Sequence, residues 1–100
     1  MRYEGRATLH LAAAGGKAST VRALIAAGAT VEAQDKNGLT PLHVAAKLNG
    51  ADTVHALLDA GADGRTQTKK DYTPYDLARS NNDKLRGTTA WRRLRDARSQ

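Results

Sequence analysis

The sequence predicts an all-α fold, a solenoid of short helix–turn–helix units stacked side by side. Three observations carry that prediction. Displaced by 33 residues, the chain matches itself: Leu9-His10-Leu11-Ala12-Ala13 falls on Leu42-His43-Val44-Ala45-Ala46, and Val21-Arg22-Ala23-Leu24-Ile25 on Val54-His55-Ala56-Leu57-Leu58. A fixed period of this length is the signature of a repeat architecture. Within a unit the apolar residues recur at helical spacing, with Leu42, Ala45 and Ala46 on one face and Val54, Leu57 and Leu58 on another. The punctuation is also that of a helix pair. Thr40-Pro41 and Thr73-Pro74 supply an N-cap and a first-turn proline, and Gly28 and Gly61 sit just past the last apolar residue, where a helix ends on glycine.

The elements follow in chain order. Residues 1–6 are a short leader, and Gly5 aligns with Gly38. The first unit has Ala7-Thr8 where Thr-Pro is expected, so its opening helix is held less firmly than the second unit's. Gly15-Gly16 then makes the turn. Asp35-Lys36-Asn37-Gly38 is strong turn chemistry between units, with Asp at the first place and Gly at the fourth. In the second unit Asn49-Gly50 breaks the helix pair, because Asn tolerates a left-handed backbone. The second connector is weaker, since Asp71 takes the place of Gly38. The third unit opens on Thr73-Pro74-Tyr75-Asp76, and Ser80-Asn81-Asn82-Asp83 lengthens its turn. Trp91 and Leu94 then match Val54 and Leu57 if about four residues are inserted. Thr88 or Thr89 caps a last helix running to about Ala97. These helices are too short to persist alone in water, so each pair depends on its neighbours.

Composition sets bounds. One hundred residues suit a single domain, expected over 1–100. The hydrophobic share is 40%, but nearly half of it is alanine and there is no phenylalanine, which implies a thin core between closely approaching helices. The absence of cysteine excludes disulfides, thiolate catalysis and cysteine zinc sites. No apolar run approaches the roughly 20 residues of a membrane span, and no signal peptide is visible. The compartment stays open, with the cytoplasm as default. The net charge of +6 is uneven: residues 1–83 hold ten basic and nine acidic side chains, residues 84–100 six and one. That basic end reads either as a solvated helix face or as an attraction for nucleic acid, for which Trp91 is the one stacking candidate.

Gly38–Gly61, GLTPLHVAAKLNGADTVHALLDAG, resembles the ankyrin-repeat family pattern of T-P-L-H-x-A-A, a glycine turn, a V-x-x-L-L helix and G-A-D. The resemblance covers roughly residues 3–95 as about three repeats, near 5–37, 38–70 and 71–98. It implies an all-α ankyrin-repeat solenoid of stacked helix–turn–helix units with protruding β-hairpin-like fingers at residues 29–40 and 62–73. The last unit is similar to the closing repeat of bacterial ankyrin proteins, which places Gln100 near a true C-terminus. The other end has no such cap, so further repeats are an alternative there.

No residue constellation points to catalysis. His10 and His43 stand at equivalent places, and a backbone or threonine hydrogen bond within each turn explains their spacing without metal or base chemistry. His55 is expected to be exposed. Gly15-Gly16-Lys17-Ala18-Ser19 fails the phosphate-loop pattern, with Leu11 and Ala18 at defining positions. No cofactor and no metal are expected. What remains is surface. In the family, partners dock on the finger tips and first helices, on the concave side. The resemblance carries that role to Arg6, Lys36, Asn37, Leu39, Lys47, Leu48, Lys69, Lys70 and Tyr72, with Tyr3, Ala14, Gly15, Ser80 and Asn81 as minor contributors. The expected function is a monomeric, non-catalytic protein-interaction module. Leu39 and Tyr72 ringed by lysines imply a protein partner with an acidic patch. The rivals are nucleic-acid binding through the basic last helix and a structural piece of a longer array.

Overall fold

The structure, a computed structural model, describes residues 7–48 and 50–99. Six α-helices occur among them: α1 (Thr8–Gly15), α2 (Ala18–Ala26), α3 (Pro41–Leu48), α4 (Ala51–Asp59), α5 (Pro74–Asn81) and α6 (Thr89–Ala97). A 3₁₀ turn, Asp83–Leu85, occupies the lengthened third turn. The helices pair as α1–α2, α3–α4 and α5–α6, and the pairs stack: α3 packs on both α1 and α5, and α4 on both α2 and α6.

Several equivalent residues bury alike. Leu9 and Leu42 are inside, as are Val21 and Val54, and Trp91 and Leu94 take the places of Val54 and Leu57 across the longer turn. Ala13, Ala45, Ala46 and Ala78 are fully buried between the first helices, where small side chains let the axes come close. Tyr75 and Trp91 meet edge to face with ring centroids 5.0 Å apart, a geometry worth on the order of 1 kcal/mol beyond burial.

The helix starts show why threonine recurs. Thr40 Oγ1 accepts the His43 N–H, Thr73 Oγ1 accepts the Asp76 N–H, and Thr88 Oγ1 accepts the Trp91 N–H. At α1 the cap residue is Ala7, which has no oxygen to offer, and only the reverse bond forms, from the Ala7 N–H to His10 Nδ1 at 3.1 Å. The opening of the first unit therefore lacks the hydroxyl that caps the others. Gly16, at φ 74°, ends α1 in the left-handed conformation. The expectation for Asn49 lies outside the described residues.

The expected β-hairpin-like fingers are not formed. No strand occurs among the described residues, and the reason is local. A hairpin pair exchanges two backbone bonds. In the first connector the Asp35 N–H does reach the Leu39 carbonyl (2.9 Å), but the Leu39 N–H turns to the Asp35 carboxylate, and the Asp35 carbonyl is taken by the Gly38 N–H. The second connector repeats this. The Thr68 N–H bonds the Tyr72 carbonyl, the Tyr72 N–H bonds Thr68 Oγ1, and the Thr68 carbonyl takes the Asp71 N–H. Side-chain oxygens at Asp35 and Thr68 thus close the turn and prevent the ladder from propagating, as Asx and ST turns do. The fold is six-helix and all-α, with compact side-chain-closed loops between the pairs.

One buried group is unmatched. Thr53, on α4, is 1% exposed, and its hydroxyl has no hydrogen-bond partner among the described residues. Thr53→Val keeps the shape and removes the orphan oxygen. It is expected to stabilise the fold by about 1 kcal/mol, raising Tm by roughly 4–8 °C in a calorimetric scan.

Candidate interaction surface

The two loops are joined to the helices and to each other by a small set of bonds. His43 is fully buried. Its Nδ1 accepts the Thr40 N–H at 3.1 Å, so Nε2 carries the proton and donates to the Tyr72 carbonyl at 2.8 Å, 29 residues on. His10 does the same one unit earlier, with Nε2 2.6 Å from the Leu39 carbonyl. Each histidine closes its own helix start and also carries the base of the following loop. The second bond was not foreseen in the sequence, although the regular spacing of the two histidines was its signal. In the third unit Asp76 takes the histidine's place at the Thr73 start: its carboxylate accepts the Thr73 N–H at 2.9 Å. Burial holds the His43 imidazole below its ordinary value, partly offset by the carbonyls of Tyr72 and Thr66 and by the charge on Asp35. Loop meets loop through the Lys69 N–H, which donates to the Asn37 carbonyl at 3.0 Å.

This scaffold brings six of the expected surface residues together. Asn37, Leu39, Lys47, Lys69, Lys70 and Tyr72 line one cleft of about 300 Å³ between the loops and the first helices. Tyr72 is 46% exposed and Leu39 is half-buried. Lys36 and Leu48 are exposed but do not line the cleft. Arg6 and Tyr3 lie outside the described residues. Thr68 and Leu77 complete the lining and were missed. Thr68 is hidden in sequence because its part is played by Asp35 one unit earlier. Leu77 follows buried Val44 by 33 residues, so simple translation puts it in the core, whereas it is only half covered.

Asp71 stands beside this cleft with φ 69°, the one non-glycine residue at positive φ among those described. It occupies the place that Gly38 fills at φ 82°. Asp71→Gly is expected to gain about 1 kcal/mol in a urea titration by relieving the left-handed backbone.

The basic end of the chain is arranged differently from the stacking reading. Trp91 is only 9% exposed. The Arg86 guanidinium lies over its ring at 5.1 Å, and Arg98 lies over the Tyr75 ring at 4.5 Å. These arginines cover the last aromatic pair, so no aromatic face there is open to a base. His55, expected to be exposed, is half-buried and 2.9 Å from Arg93, which also pairs with Asp59 at 2.9 Å. That cluster fastens α6 to α4. No three His, Cys, Asp or Glu side chains gather as a metal site among the described residues, and no helix there is long and apolar enough to cross a membrane.

Stacked helix pairs with histidine-held loops define a helical-repeat scaffold. A family model described as ankyrin repeats, in three copies, matches residues 2–86, and the chain belongs to the ankyrin-repeat family. Members of that family are non-catalytic scaffolds that generally mediate protein–protein contacts. No curated protein matches the chain.

Proposed function

We propose that this ankyrin-repeat module binds a protein partner carrying an acidic patch, on the surface formed by Lys36, Asn37, Leu39, Lys47, Leu48, Lys69, Lys70 and Tyr72. The observation that supports the reading most is the cleft itself, where apolar side chains lie among Lys47, Lys69 and Lys70 and no carboxylate belongs to its lining. Lysines around an apolar recess steer an acidic partner and leave the apolar contact to hold it. The loops are fixed by backbone and side-chain bonds before any partner arrives, so little ordering cost attaches to binding. The module acts as a monomer.

The test is charge reversal. Lys36→Glu, Lys69→Glu and Lys70→Glu together are expected to slow association with a partner captured on the intact chain by at least about tenfold at low salt, and by much less at about 0.5 M salt. An unchanged association rate in the triple variant, with its circular dichroism intact, removes this surface from consideration.

A further inference from the structure

Once the protein-binding reading is granted, on which the inference rests, the size and chemistry of the cleft between the loops narrow the partner. At about 300 Å³ it sits at the lower limit of small-molecule sites and has room for a large inserted side chain. Its apolar part is Leu39, Leu77 and the Tyr72 ring, and its charged part is Lys47, Lys69 and Lys70. Lys47 comes from α3 and the other two from the second loop, so the cations surround the recess from two elements rather than tracking along a groove. None of these three lysines takes part in an ion pair among the described residues.

The walls are held. The Lys69 N–H bonds across to the Asn37 carbonyl, Thr68 Oγ1 accepts the N–H groups of Lys70 and Tyr72, and buried His43 carries the Tyr72 carbonyl. Asp71, between Lys70 and Tyr72, keeps a left-handed backbone at φ 69°. Strain of this kind persists only where the surroundings fix it, and it collects at binding loops. A recess closed this firmly accepts a projecting group without rearranging.

We infer that the cleft receives an extended acidic peptide segment, one large aliphatic side chain entering between Leu39, Leu77 and Tyr72 while flanking carboxylates meet Lys47, Lys69 and Lys70. A single-stranded nucleic acid fits less well. It needs a basic track with successive stacking faces, and the cleft offers one aromatic ring over an aliphatic floor.

The experiment is fluorescence polarisation on the full chain with a labelled heptapeptide, DEELEED. Controls are the same peptide with serine for leucine, the same peptide with amides for all its carboxylates, and unlabelled poly(U) as competitor. The leucine peptide is expected to bind at least about tenfold more tightly than the serine or the amide peptide, and more weakly as salt rises. Lys47→Glu, on the exposed face of α3, and Asn37→Trp, which fills the recess from its rim, should each weaken binding by about tenfold or more. Unchanged melting curves for both variants establish that they fold. Equal binding of the leucine and serine peptides, no binding of either, or displacement by poly(U) as effective as by unlabelled peptide overturns the inference. If the peptides fail while the triple lysine reversal still slows a captured folded partner, the peptide reading falls and the protein-binding surface stands.

Discussion

Replacing His43 by alanine is expected to cost roughly 3–4 kcal/mol, a large share of the 5–15 kcal/mol that holds a domain of this size together. Three losses combine. The Tyr72 carbonyl loses the donor at 2.8 Å, and the Thr40 N–H loses its acceptor at 3.1 Å. A fully buried ring also leaves a void at the junction of two units. The matched control is His10→Ala, which breaks the same bonds at the first unit, where Ala7 already weakens the helix start, and should cost less. Urea titrations of the two variants check the order. The same residue sets a pH dependence. Burial keeps folded His43 below its ordinary value of 6.5, so on acidification the unfolded chain takes up this proton before the folded one does. The stabilising contribution is complete above about pH 6.5 and is lost as the pH falls through the folded-state value. Tm should drop in the parent as the pH falls below about 6.5, and the slope should flatten in His43→Ala.

Gly38→Ala is the second large effect, expected at roughly 2–3 kcal/mol. Two causes act at one atom. The backbone is left-handed at φ 82°, and an added Cβ would stand 3.0 Å from the Lys69 nitrogen and 3.2 Å from the Thr68 Cα. Those are backbone atoms of the next loop, which cannot swing aside like the end of a long side chain. Gly61 separates the two causes. It has φ 93° but nothing within 4 Å of an added Cβ, so Gly61→Ala should cost only about 1 kcal/mol. A difference of about 1 kcal/mol or more between the two alanine variants, measured by thermal unfolding, isolates the contact between loops.

Much of this architecture was legible in the sequence because repetition multiplies weak signals. One Thr-Pro or one Gly says little, but the same order 33 residues apart fixes helix starts, helix ends and the buried face together. The last helix was found across an irregular turn because Trp91 and Leu94 keep the spacing of Val54 and Leu57. The fingers were misread because the family pattern was carried over without asking where the backbone bonds would go. Asp35 and Thr68 are side chains that bond their own turn, and they take the N–H groups a strand pair would need. His55 was misread because its partner Arg93 is 38 residues away, beyond the irregular turn and out of register with the repeat. At the surface, the lysines and Tyr72 were reached through the family resemblance, which carries the docking role to their positions. That Leu77 completes their cleft depends on how far it is covered, which periodicity does not fix.

The two histidine bonds that tie unit to unit each span 29 residues, and the main helix contacts join neighbours in the stack. Nothing in this pattern waits for the last residues to be made before the first can settle. A chain leaving the ribosome can lock His10 onto Leu39 once α3 and α4 have emerged to stack on α1 and α2, before α5 and α6 are outside, then use that platform for the last pair. Assembly would be vectorial, with short loop closures and correspondingly quick kinetics. Protease resistance of stalled nascent chains should then appear in two increments, one once α3 and α4 have cleared the exit tunnel and can stack on the first pair, and one once α5 and α6 have.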